Sequence, residues 1–209
     1  MKDEVREFKR ERILDEAIPL IAEQGFQGVS IDTIAKKLKV TKPFIYTYFK
    51  NKDALLEEIF VGAADNLLGG LDNVFAVSRP PEEQLRVFVE LYVLENIRRS
   101  DITTIFLNEE KNLSEESRLK LRKQHHEFDR KLAQMIDDGR ASGVFDVDDP
   151  MLASLAISGM VRWVHRWYNP NGRFTPEQIA KKIAKLALRI VGHVEKPRKS
   201  TTRKAKAAV

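Results

Sequence analysis

Residues 40–56 read VTKPFIYTYFKNKDALL. Phe44, Tyr46, Tyr48 and Phe49 stand among Lys42, Lys50 and Lys52, with no acid before Asp53. Hydroxyls, phenols and ammonium groups at this density are donors for phosphate oxygens, whereas carboxylates would repel them. The acid-free window spans 17 residues, 36–52, and holds six lysines. Residues 1–52 carry 11 bases and 8 acids, residues 53–195 carry 19 and 23, and residues 196–209 carry six bases and no acid. A basic front joined to a mildly acidic body fits a nucleic-acid partner at one end. A small core wrapped by ordinary solvated lysines has the same composition, so the elements that position these side chains must decide.

Nearly every periodic segment has helical spacing, which predicts an all-α fold of about nine helices with no strand. The first helix runs from about Glu7 to Gln24, with Ile13, Ala17, Leu20 and Ile21 as its apolar stripe, Pro19 interrupting it and Gly25 placed to stop it. Ser30 caps a second helix whose Ile31, Ile34, Ala35 and Leu38 face inward. Thr41 caps a short third helix, Lys42 to Tyr48, with Pro43 tolerated in its first turn, and Asn51 caps a long fourth one reaching about Phe75. Pro80 and Pro81 mark a joint; helices follow over 82–99, 101–108, 115–141 (capped by Ser114, ended by Gly143), 150–167 (capped by Asp149) and 176–191 (a Thr175/Gln178 capping box). The expected organisation is a head at 1–50, a body at 51–195 and a disordered basic tail at 196–209.

A helix, a tight turn and a short helix form a helix-turn-helix, whose second helix fits the major groove. Ser30 and Thr41 leave free amides at helix starts, which can meet phosphates. Thr33, Thr41 and Lys42 are candidates for phosphate or base edges, and Tyr46, Tyr48, Lys50 and Lys52 for contacts along the backbone. Phe44 and Phe49 belong to the core. Any one of these residues also has a purely structural reading. Tyr48 could close the three-helix core, and Lys36, Lys37 and Lys39 could be plain solvent-facing lysines.

Other chemistries find little support. There is no cysteine, hence no disulfide or thiol nucleophile. His125 and His126 are adjacent rather than four apart, and no zinc, phosphate-loop or nucleophile-elbow motif appears, so no enzyme, metal or cofactor is expected. The start, MKDEVREFKRER, leads into no apolar secretory core, and no run of 18 apolar residues occurs; a cytoplasmic protein without membrane contact is expected.

From Arg12 to Leu56 the sequence, RILDEAIPLIAEQGFQGVSIDTIAKKLKVTKPFIYTYFKNKDALL, resembles the TetR family of bacterial transcriptional repressors. Ala17, Gly25-Phe26, Ser30, Ile34-Ala35, Val40-Thr41, Tyr46, Phe49, Lys52 and Leu55 carry the likeness. It implies that Thr33 and the start of the second helix face the DNA backbone. Thr41 to Phe44 would open the recognition helix, Tyr46 and Tyr48 would reach phosphates, and Lys52 would bind one at the start of the fourth helix. Pro43 stands where a small residue is common, which points to an apolar base contact there. Pro19 is a second departure.

The resemblance also assigns the body two roles, dimerisation and effector binding. The last two helices carry Leu152, Leu155, Ala156, Gly159, Ile179, Ile183, Leu186 and Ile190 at helical spacing. Read alone these stripes build a monomer core or an interface; the family implies a four-helix interface between two subunits. In GMVRWVHRWY, Trp163 and Trp167 lie four apart. They serve as core or interface, as walls of an apolar pocket with Tyr92, Phe106 and Phe128, or beside arginines that bind an anion. ISGMVRWVHRWYNPNGRFTPEQIA and MIDDGRASGVF are similar to TetR-like regulators of fatty-acid, steroid and aromatic catabolism, which implies an acyl-CoA thioester effector, with Arg98, Arg99, Arg162 and Arg166 available for its phosphates. The expected partners are therefore an operator duplex, a second copy of the chain and a small effector. A non-specific DNA-coating protein, suggested by the basic tail, and a helical protein-interaction adaptor are the alternatives.

Overall fold

The structure, a computed structural model, describes residues 2–193. The expected basic tail at 196–209 lies outside the described residues. Those residues are helical with no strand: α1 Lys2–Gly28, α2 Ile31–Leu38, α3 Lys42–Tyr46, α4 Lys52–Phe75, α5 Pro81–Arg98, α6 Ser100–Glu109, α7 Glu115–Ala141, α8 Pro150–Arg162, α9 Val164–Trp167 and α10 Pro176–Ile190. A single 3-10 turn, Glu110–Asn112, joins α6 towards α7. The one-turn α9 continues α8 past a break at Trp163, so the expected long helix over 150–167 is two pieces.

Local chemistry sets most helix starts. Ser30, Asn51, Ser114 and Asp149 each accept a hydrogen bond from an amide in the first turn, and Thr175 with Gln178 completes a capping box. Thr41 departs from this expectation: its backbone is extended, but its hydroxyl caps nothing. α1 begins at Lys2, earlier than the periodicity suggests, and passes through a break at Gly25, whose φ of 74° is the left-handed value that glycine tolerates. α7 requires a glycine for a different reason. A Cβ on Gly139 would stand 2.2 Å from the Phe145 ring, which closes over that turn.

Two apolar cores share one helix. The head core gathers Ile13, Ala17, Ile21, Phe26, Ile34, Ile45 and Phe49 with Leu55, Leu56, Ile59, Phe60 and Ala64 of α4. Ile105, Leu113 and Leu121, from α6 and the start of α7, close it from the body side. The body core begins at Leu71 of α4 and adds α5, α7, α8 and α10. The boundary expected after residue 50 thus falls at the start of a helix that serves both cores.

Candidate DNA-reading surface and effector cavity

α3 is held to the head by Ile45, which is fully buried, and truncating such a residue to alanine costs about 2–5 kcal/mol. Thr41, Lys42, Pro43, Tyr46, Thr47 and Lys50 are all exposed around it. The turn before α3 places Lys39 at φ 57°, and Val40 N–H donates to Ala35 O at 3.0 Å, fixing the angle between α2 and α3. Ser30 Oγ accepts from Thr33 N–H at 3.1 Å and shares a hydrogen bond with the Thr33 hydroxyl. Lys42 Nζ donates to Asp32 Oδ2 at 2.7 Å, which raises its pKa; both side chains are open to water, so a phosphate can replace Asp32. Tyr48 is half-buried and packs on Phe44 at 5.2 Å between centroids, leaving Tyr46 as the more open phenol.

Lys52 departs most from its expected role. Its ammonium donates to Phe26 O at 2.7 Å and Val29 O at 3.1 Å, and lies 4.2 Å from the centre of the Phe26 ring. Two of its three donors therefore tie the segment just after the break at Gly25 to the start of α4. Phe26 N–H, freed by that break, donates to Glu109 Oε1 at 3.0 Å, and Asn112 Nδ2 donates to the other carboxylate oxygen at 2.5 Å. Glu109 is buried at the seam between head and body, and sequence reasoning missed it.

In the body, α4, α5, α6, α7 and α8 line a half-open cavity of about 380 Å³. Its apolar walls include Phe60, Leu67, Ile102, Phe106, Leu121 and Trp163. Polar side chains also line it, among them Glu95, Asn96, Arg99, His125 and Arg162. Arg162 Nε donates to Tyr92 OH at 3.1 Å, while the buried Arg162 Nη2 lies 3.8 Å from Asp129 Oδ1, close enough for charge compensation but not a hydrogen bond. Asn96 Oδ1 is also buried without a partner. Burial, aided by the Arg162 charge, pushes the His125 imidazole down to about 4, so it is neutral at physiological pH and packs edge-on against Phe106. Burial likewise pushes the Tyr92 phenol up.

Tyr92, Phe106, Arg162 and Trp163 thus stand on the cavity as expected. Phe128, Arg98, Arg166 and Trp167 do not. Phe128 is buried behind Tyr92 and Phe88 in the body core. Arg98 is exposed and paired with Glu95, which also holds Arg99. Arg166 and Trp167 follow the break at Trp163 and point to solvent. Of the expected interface residues, Leu152, Leu155, Ala156, Gly159, Leu186 and Ile190 are exposed on α8 and α10. Ile179 and Ile183, 5% and 7% exposed, instead fill the monomer's own core.

The profile described as bacterial regulatory proteins, tetR family, matches residues 13–59, and that of the tetracyclin repressor-like C-terminal domain matches residues 78–191, more than half of the chain. The chain belongs to the TetR family. A TetR-family regulator, PfmR from Thermus thermophilus, superposes with a TM-score of 0.77 at 30% identity, covering 88% of this chain and all of that one. AibR, solved with isovaleryl coenzyme A and operator DNA, gives 0.74 at 28%, covering 85% and 96%. The repressor KstR2 of Mycolicibacterium smegmatis is 24% identical over 183 residues, 86% of this chain and 89% of that protein. The α2–α3 unit is therefore the helix-turn-helix of a TetR-family transcription regulator. No helix among the described residues is long and apolar enough to cross a membrane.

Proposed function

We propose that the chain is a ligand-released repressor that binds a pseudo-palindromic operator as a homodimer in the cytoplasm. The observation that carries this reading is the sharing of walls between two functions: α4 and α6 line the cavity and also close the core on which α3 rests. A molecule filling the cavity moves the supports of the recognition helix. Thr41, Lys42, Pro43, Tyr46, Thr47 and Lys50 meet the duplex, with Ser30, Thr33 and Tyr48 at its edge and Lys52 holding the head in shape. Thr47 joins the set because it is exposed beside Tyr46.

Dimerisation uses the stripe Leu152, Leu155, Ala156 and Gly159 of α8, and Trp163 at the break behind it, with Leu186 and Ile190 of α10. Leu152 is 64% exposed and Trp163 is 58% exposed, exposures that suit an interface better than water. Two-fold symmetry then sets two heads about one helical turn of DNA apart, roughly 34–36 Å, or a multiple of it.

The effector is an acyl-CoA thioester. AibR supports the class by its bound isovaleryl coenzyme A. The cavity, at the small end of the ~300–1,000 Å³ typical of ligand sites, takes the acyl chain and leaves the nucleotide outside. Arg162 Nη2 and Asn96 Oδ1 offer an unpaired donor and an unpaired acceptor. By linkage, operator DNA weakens effector binding by the factor by which effector weakens DNA binding. The test is recovery and sequencing of fragmented host genomic DNA with the protein, with and without a panel of acyl-CoA thioesters. A few palindromic sites released by one thioester are expected. Sharp sites that none releases reject the effector class, and diffuse, salt-sensitive recovery rejects sequence-specific repression.

A further inference from the structure

α1 extends well beyond the core it serves. Its first buried residue is Ile13, and beyond Lys9 and Arg10, which still touch the head, residues 2–8 project over roughly 10 Å of helix. Over residues 3–11 charge is sorted by side, while Arg12, about 100° from Ile13, falls among the acids and pairs with Glu16. At about 100° per residue, Arg6, Lys9 and Arg10 fall within about 60° of the direction of Ile13, and Asp3, Glu4, Glu7 and Glu11 fall at about 80–180°. The basic face is thus the outward continuation of the face on which Lys9 reaches Phe44 of α3 and Arg10 reaches Glu58 of α4.

Contacts fix where that face looks. Arg10 Nε donates to Glu58 Oε1 of α4 at 3.0 Å, and its guanidinium lies 5.3 Å from the Phe49 ring centre. One residue back, Lys9 Nζ stands 5.9 Å from the Phe44 ring centre, beside the Phe44–Tyr48 pair at the flank of α3. Arg6 lies about one turn further out. Both Arg6 and Lys9 are exposed, and neither has an acidic partner among the described residues. Arg10, by contrast, is neutralised by Glu58.

We propose that Arg6 and Lys9 form a second DNA contact, to the phosphates flanking each half-site, outside the base pairs that α3 reads. The inference rests on the DNA-binding reading and extends it. A duplex carries one negative charge per ~1.7 Å of its axis, so a basic helix face leaving the reading surface at its edge meets phosphate beyond the half-site. The acidic far side of α1 turns to solvent, which keeps the projection from sliding onto the duplex by its other face. The surface is continuous with that of α3 through Lys9 and Phe44, and its charge is complementary to the backbone. An acidic protein surface is the competing occupant.

The experiment uses the full-length chain and an operator recovered from genomic DNA, in two lengths: with about ten extra base pairs on each side, and trimmed to the palindrome. Arg6→Ala/Lys9→Ala is compared with wild type and with Glu7→Gln/Glu11→Gln, which alters the far side. On the long duplex the first variant should lose about 5–20-fold in affinity near physiological salt, and its salt slope should fall by about two per head, at ~0.9 per phosphate. On the trimmed duplex it should match wild type, and the half-site sequence preference should be unchanged. An unaltered slope on the long duplex overturns the proposal and leaves the acidic protein surface. An equal loss on both lengths overturns it too, because the two residues then act within the half-site or through the head's fold; unfolding midpoints separate those causes. If wild type binds no operator of either length, the DNA-binding reading itself falls.

Discussion

Glu109, at the end of α6, accepts a hydrogen bond from the backbone N–H of Phe26 across the seam between head and body. The carbonyl of the same residue accepts from Lys52 at the start of α4. A single residue next to the break at Gly25 is therefore held from two sides, by an acid on a cavity-lining helix and by a base on the helix that crosses both cores. Glu109→Ala should cost about 1–3 kcal/mol by leaving that buried amide without an acceptor. Glu109→Gln keeps an acceptor and should lose less. Denaturation midpoints rank the two, and faster hydrogen exchange at the Phe26 amide in the alanine variant identifies the cause; an unchanged exchange rate rejects the role.

Lys52→Met should destabilise the head by about 1.5–3 kcal/mol, the value of hydrogen bonds from a charged donor, while keeping the aliphatic stem against Phe26. Its effect on operator binding should track its effect on stability. A variant that unfolds at the wild-type midpoint yet loses DNA affinity would return Lys52 to a direct phosphate role.

Gly69 and Gly70 sit on α4 between the head core, which ends at Ala64, and the body core, which begins at Leu71. A Cβ at either position meets nothing within 4 Å. Alanine at each should raise stability by about 0.5–1 kcal/mol through helix propensity alone. If α4 is the lever between cavity and heads, the stiffened double variant should bind operator normally and release it poorly when effector is added. Wild-type release from a more stable protein removes α4 from the transmission path.

The neutral state of His125 predicts a specific pH response. Its folded pKa, about 4, lies below the ordinary value of 6.5, so the unfolded chain binds more protons between them. Its contribution is whole above pH 6.5 and is lost as pH falls towards 4. Allowing for partial exposure, the loss should be about 1–2 kcal/mol. His125→Asn should flatten the fall in stability over that window relative to wild type, as read by urea titrations at several pH values. Parallel pH profiles for the two proteins would contradict it.

Leu155→Asp places a charge in the proposed seam without touching the monomer core, since Leu155 is 48% exposed. Sedimentation should show a folded monomer, and operator affinity should fall at least 100-fold as the paired half-sites are lost. A dimer of unchanged sedimentation coefficient would move the interface elsewhere.

What could be read from the sequence follows the range of the interactions. Caps at Ser30, Asn51, Ser114, Asp149 and Thr175 involve partners two or three residues away, and all form as their side-chain chemistry predicts. Thr41 has the same local pattern and makes no such bond. Glu109 had no local signal, because its partner lies 83 residues away. Periodicity marked α10 as apolar but could not divide Ile179 and Ile183, turned inward, from Leu186 and Ile190, turned outward. Aromatic content drew attention to Trp167 and Phe128, yet the break at Trp163 and the packing on Tyr92 keep them off the cavity. The sided charge of residues 3–11 was not read from the sequence, because the helix was expected to start only near Glu7 and α1 begins at Lys2.

The helix α4 that completes both cores also limits how this protein can be recombined. A head transplanted as residues 1–50 would leave behind Leu55, Leu56, Ile59 and Phe60, and with them the floor beneath Ile45 and Phe49. A graft carried through Ala64 would still present an apolar patch meant for Ile105, Leu113 and Leu121, and the Phe26 amide would face whatever residue the new host placed opposite it. Chimeric regulators that exchange operator preference while keeping an effector response therefore need matched surfaces on α6 and the start of α7 as well as a splice in α4. In evolutionary terms, the two ends of the molecule are free to diverge in what they recognise but must change together where they meet.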